Sequence, residues 1–156
     1  AAPPRWLGIY LLIGLSFGAL LASARARRVR ESTLLRRSVH VLAVGWSLFG
    51  GVLGLILVGL LFTDHVFSYG NENLALANPF MLVTAGLLLL APLGAVWSTR
   101  ARIAAVLVAW LALLGLVWHL LPFSAQSNAM FFALGLPAHL GLAWGLLGLS
   151  DARSRP

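Results

Sequence analysis

The chain has 156 residues, of which 60% are hydrophobic and 10% charged, and it carries a net charge of +7. A soluble domain carries about 25% charged residues, and a chain this short has too much surface for a larger core to absorb the deficit. That excludes a water-solvated domain, and with no cysteine it also excludes disulfides, thiolate catalysis and Cys-ligated metals within this chain.

A helix needs about 20 apolar residues to cross the hydrocarbon. Taken in order, the apolar runs predict helices over Trp6–Ala24, Val39–Phe62, Pro79–Trp97, Ile103–Leu121 and Ala129–Leu149. No long polar segment separates them. The expectation is an all-α integral membrane bundle of about five transmembrane helices, forming a single domain over residues 1–156.

Ten of the eleven basic residues fall between or after these runs. Arg25, Arg27, Arg28, Arg30, Arg36 and Arg37 follow the first, Arg100 and Arg102 follow the third, and Arg153 and Arg155 follow the fifth. The loops 63–78 and 122–128 hold no Lys or Arg. Basic segments are retained in the cytoplasm, so the pattern predicts an N-out, C-in orientation. The absence of Lys and the dominance of Arg, Ala, Leu and Gly fit a GC-rich bacterial genome, and hence a bacterial cytoplasmic membrane. The Arg pattern also removes nucleic acid as the partner of the positive charge. The chain starts without Met. With an N-out start, the expectation is the tail of a longer exported protein.

Helix ends follow local rules. Asn78-Pro79 reads as an N-cap with Pro at the first helical position. Ser127 or Asn128 is placed to cap the last helix, and Pro122 to stop the fourth. Trp6, Trp97 and Trp118 fall near helix ends, where indoles favour the interface. Trp46, Trp110 and Trp144 lie deeper and are expected to pack between helices.

Glycines four apart recur as Gly14 and Gly18, Gly50 and Gly54, and Gly141 and Gly145. Such pairs let backbones approach closely in lipid. Packing within the chain is the favoured reading, and contact with another subunit is the alternative.

The outer loops collect polar groups: Asp64, His65, Asn71, Glu72, Asn73 and Asn78 from one, Gln126 and Asn128 from the other. They could orient a lipid headgroup, meet a partner, or supply a general base. The plainer reading is that they cap helix ends at the interface. His139 lies deep in the last span, and an intramembrane ionisable group is a functional candidate by default. It could ligate haem iron or chlorophyll magnesium, with His119 a second candidate, or bond the backbone carbonyl freed by Pro137; the bond is favoured. The expected spans hold no Asp, Glu or Arg, which argues against pumps, ion-coupled transporters and voltage sensors. No metal-site spacing is present, so no metal and no catalytic residue is assigned. Bound lipid is expected, and no cofactor is predicted.

The strings Phe62-Thr63-Asp64-His65, Asn71-Glu72-Asn73-Leu74 and Asn78-Pro79-Phe80 form the most distinctive part of the chain. With Trp118, Leu121-Pro122, Gln126 and Asn128, they resemble the C-terminal membrane region of Lnb-type bacterial lipoprotein N-acyltransferases. The resemblance covers about 59–148. It implies an exported N-terminal domain, carrying a catalytic Cys and His, ahead of this region. That nucleophile maps to no position here.

Two readings follow. One is a non-catalytic structural or accessory module that packs against other integral membrane proteins, in an assembly such as a photosynthetic or respiratory complex. The other is the membrane half of an Lnb-type acyltransferase whose catalytic domain lies elsewhere.

Overall fold

Five segments are long and apolar enough to cross a membrane: Trp6–Arg25, Thr33–Leu60, Asn73–Leu93, Ala95–His119 and Ala129–Leu147. The structure, a computed structural model, describes residues 4–63, 73–121 and 128–147. All regular structure among them is helical. The helices are α1 (Pro4–Ala22), α2 (Arg27–Glu31), α3 (Thr33–Leu60), α4 (Asn73–Leu76), α5 (Phe80–Leu90), α6 (Ala95–His119) and α7 (Ala129–Leu147).

Two boundaries differ from the sequence expectation. The second span begins at Thr33, about two turns earlier than the apolar run. Ser32 Oγ caps it by accepting from the Leu35 N–H at 3.3 Å. Arg36 and Arg37 therefore ride on the helix, where long side chains can carry their charge to the interface. The third span ends in a 3-10 turn at Ala91–Leu93, where Pro92 removes a backbone donor. Trp97 consequently starts α6 instead of ending the third span, and Arg100 and Arg102 lie on α6 itself. The expected Arg-free spans thus carry arginine, but only within about two turns of their N-terminal ends.

The closest helix pairing joins α1 to α7, which run parallel. Their glycine pairs face each other. Gly14 lies against the Ala133 and Leu134 carbonyls, and Gly18 against the Pro137 carbonyl. Gly141 lies against the Gly18 carbonyl, and Gly145 against the Leu21 carbonyl. A Cβ at any of these four positions would overlap backbone of the other helix. Without a hydrophobic drive between helices in lipid, such close contact is what holds them together.

The third glycine pair serves a different contact. Helix α3 runs antiparallel to α5, with Gly50 on the Met81 side chain and Gly54 on the Asn78–Pro79 backbone. Helix α6 turns a row of small residues inward: Ala101, Ala104, Ala105, Ala109, Ala112 and Gly115. The main core cluster forms against this row, with Leu21, Val44, Leu88, Leu142 and Leu146. Large apolar side chains cover the outside, including Leu12, Phe49, Ile56, Leu89 and Leu114. That inversion of soluble packing is what a lipid solvent selects.

The alternating helix directions gather the described arginines beyond Arg5 at one end of the bundle. Leu21 and Ala24 meet Gly145 there, and Arg102 shares a groove with Leu147. The opposite end holds α4, the end of α6 and the start of α7.

Candidate functional site: a polar node at a broken helix

The third span is two helices, not one. α4 ends at Leu76, and Pro79 stands before the first residue of α5. Proline has no N–H to give the carbonyl four residues back, so the Ala75 carbonyl loses its helical donor. Asn78 replaces it: its Nδ2 donates to the Ala75 oxygen at 3.3 Å. The Asn78 side chain thus reaches back to α4 instead of capping α5 forward. Asn78 is buried, and its Oδ1 bonds to none of the described residues.

The break also leaves the Leu76 carbonyl open to a distant donor. His139, on α7 and fully buried, places Nε2 2.9 Å from that oxygen. A carbonyl only accepts, so Nε2 carries the proton. Nδ1 of the neutral ring is then an acceptor, and Trp46 Nε1–H on α3 meets it at 3.4 Å, a long bond. The Trp46 and His139 rings lie 5.5 Å apart, and Phe17 of α1 packs on Trp46 at 5.3 Å. One histidine therefore ties α7 to α3 and to the break between α4 and α5.

This arrangement corrects one expectation. The carbonyl bonded by His139 is Leu76, not the one freed by Pro137. The Pro137 gap exposes the Ala133 carbonyl, and there Gly14 of α1 packs closely. Cα–H groups make weak contacts with carbonyls at such interfaces. His139 is also poorly suited as a tetrapyrrole ligand in this geometry, since ligation through either nitrogen would break one of its two bonds. His119 stacks on Phe132, centroids 5.2 Å apart. Among the described residues, no three His, Asp or Glu side chains come together to hold a metal.

Irregular backbone at membrane depth is tolerated where protein encloses it. Here Gly54 of α3, Gly115 of α6 and Gly135 of α7 supply the enclosure. Gly54 accepts the Asn78–Pro79 backbone, Gly115 the Ala75 methyl and Gly135 the Leu76 side chain. The remaining buried hydroxyls turn back on their own helices: Ser47 Oγ donates to the Ala43 carbonyl and Thr84 Oγ1 to the Phe80 carbonyl.

The polar loop residues divide. Asn73 opens α4, Asn78 sits in the break, and Asn128 is buried ahead of α7, its carbonyl accepting from the Phe131 and Phe132 N–H groups. Asp64, His65, Asn71, Glu72 and Gln126 lie outside the described residues. Of the deeper tryptophans, only Trp46 packs between helices. Trp110 and Trp144 face outward, each more than half exposed. Trp46 as the partner of His139 was not legible, because α3 and α7 are far apart in sequence.

Helix number, length and hydropathy define a multi-pass helical membrane protein. No protein-family model, no characterised protein and no solved structure matches the chain.

Proposed function

We propose that this protein is a non-catalytic membrane module, a structural or accessory subunit that packs against other integral membrane proteins. Its Arg-rich end faces the cytoplasm of a bacterium, which sets the N-terminus outside and the C-terminus inside. A photosynthetic or respiratory complex is the kind of assembly that takes such a subunit.

The observation that carries this reading is Trp110. It lies in the interior of α6, 59% exposed, and its indole N–H finds no acceptor among the described residues. At a rise of 1.5 Å per residue it sits roughly 13 Å from the His119 end of the helix. Lipid tails offer no acceptor at that depth, and indoles facing lipid favour the interface instead. A neighbouring protein supplies both cover and acceptor. Photocrosslinking in cells tests this, with benzoylphenylalanine at position 110 and, as control, at Phe49 on α3. A discrete protein adduct at 110 and little at 49 is the expected result. Lipid adducts alone at both positions would overturn the reading.

A second reading is the membrane half of an Lnb-type acyltransferase. It is favoured by where the resembling strings fall: Asn73-Leu74 opens α4, and Asn78-Pro79-Phe80 forms the break. Sequencing upstream of Ala1 in the gene discriminates. An exported domain with Cys and His supports it; a bare signal peptide sinks it.

A further inference from the structure

We infer that the Arg-rich end of the bundle holds an anionic phospholipid, with an acyl chain in a groove between α6 and α7 and its phosphate on Arg102.

The groove has a volume of about 350 Å³ and is lined by Thr99, Arg102, Ile103, Val106, Leu107 and Leu147. That volume suits a segment of a hydrophobic ligand. The walls are apolar, formed by Ile103, Val106 and Leu107 of α6 with Leu147 at the end of α7. Polarity enters only at the rim, through Thr99 and Arg102. This is the layout of a lipid: hydrocarbon within the bilayer, charge at its edge.

Charge complementarity fixes the headgroup. Arg102 Nη2 donates to Thr99 Oγ1 at 2.7 Å, which holds the guanidinium at the rim. A guanidinium has five N–H donors, so this bond leaves others for a phosphate. Among the described residues, Arg27 pairs with Glu31 at 2.6 Å, away from this groove on α2. Arg25 adds charge nearby. Its guanidinium lies 4.3 Å from the centre of the Trp144 ring, and Trp144 is one turn before Leu147 on α7. Arg100 sits on Trp97 in the same way, at 5.2 Å. Cations stacked on indoles at the end of a bundle make a surface suited to phosphate oxygens. A zwitterionic lipid would bring its own cation into this field and be disfavoured. A free phosphate would leave the apolar walls unused.

The test uses the full chain in nanodiscs of equal parts phosphatidylglycerol and phosphatidylcholine, released into mild detergent for native mass spectrometry. Phosphatidylglycerol is expected to stay bound in preference to phosphatidylcholine. Arg102→Gln is expected to lower its retention about fivefold, the attraction of one arginine for an anionic surface. Leu107→Ser should lower it as well, by wetting the wall. Arg36→Gln with Arg37→Gln removes charge at the same end on another helix and should leave retention near wild type. Unchanged retention in Arg102→Gln would overturn the inference. So would equal retention of the two lipids, an equal loss in the Arg36/Arg37 double variant, or displacement by inorganic phosphate alone. An unchanged midpoint of unfolding in mixed micelles shows that the bundle of each variant is intact.

Discussion

Replacing Gly141 by leucine is expected to detach α1 from α7 and to cost more than any other single change in the fold. A Cβ at this position would overlap the carbonyl, and crowd the Cα, of Gly18 on the facing helix. The obstacle is backbone, which cannot rotate away as a side chain would. Overpacking a well-filled site costs about 1–3 kcal/mol, and a rigid obstacle puts Gly141→Leu at or above the top of that range. The separation would also pull Gly145 from the Leu21 carbonyl, Gly18 from Pro137 and Gly14 from Ala133, since one helix face carries all four contacts. Gly45 provides the control. It lies on α3 with nothing near its absent Cβ, so Gly45→Ala should be neutral or stabilise by about 0.5–1 kcal/mol through helix propensity. Unfolding in mixed micelles at rising dodecyl sulfate measures both. If Gly141→Leu unfolds no earlier than Gly45→Ala, the α1–α7 contact is not what holds the bundle.

These glycines show what could be read from the chain and what could not. The five spans were legible because apolar runs long enough to cross lipid dominate this sequence. The glycine pairs were legible as contact faces because their four-residue spacing places both on one side of a helix. Which face each pair meets was not legible, since almost every residue in a span is apolar and inside cannot be told from outside. Trp110 and Trp144 show that ambiguity: both were expected between helices, and both face out. Boundaries shifted where arginine could snorkel, so Arg36 and Arg37 fell on α3 and not in a loop. The break at Asn78-Pro79 was visible as a helix start. Its continuation back into α4 was hidden, because Asn73–Leu76 is one turn long and follows a polar loop. The partner of His139 was out of reach for a plainer reason. Leu76 is 63 residues away in sequence, and local rules pointed to the nearby Pro137.

The His139 bond leads to the second large effect. His139→Leu keeps an apolar side chain of useful bulk but removes both ring nitrogens. The Leu76 carbonyl then loses the donor that replaced its helical one, and Trp46 Nε1–H loses its acceptor. A buried polar group left unpaired costs about 1–3 kcal/mol. Interhelical bonds in membranes average nearer 0.6 kcal/mol, because chains unfolded in the membrane find other partners. The Leu76 carbonyl belongs to the stronger case. The break fixes it in an enclosed site, and relaxing α4 would pull Ala75 and Leu76 from the Gly115 and Gly135 contacts. A loss of about 2 kcal/mol is therefore expected for His139→Leu. Trp46→Phe should cost less. It removes only the long 3.4 Å bond and keeps most of the aromatic contact with Phe17. His139→Gln retains a donor and an acceptor and should recover part of the loss. The ordering His139→Leu, then His139→Gln and Trp46→Phe, can be read from the midpoint of unfolding in mixed micelles. If Trp46→Phe proved as costly as His139→Leu, the bond to the broken helix would be secondary, and aromatic packing between α1, α3 and α7 would be what fixes the node.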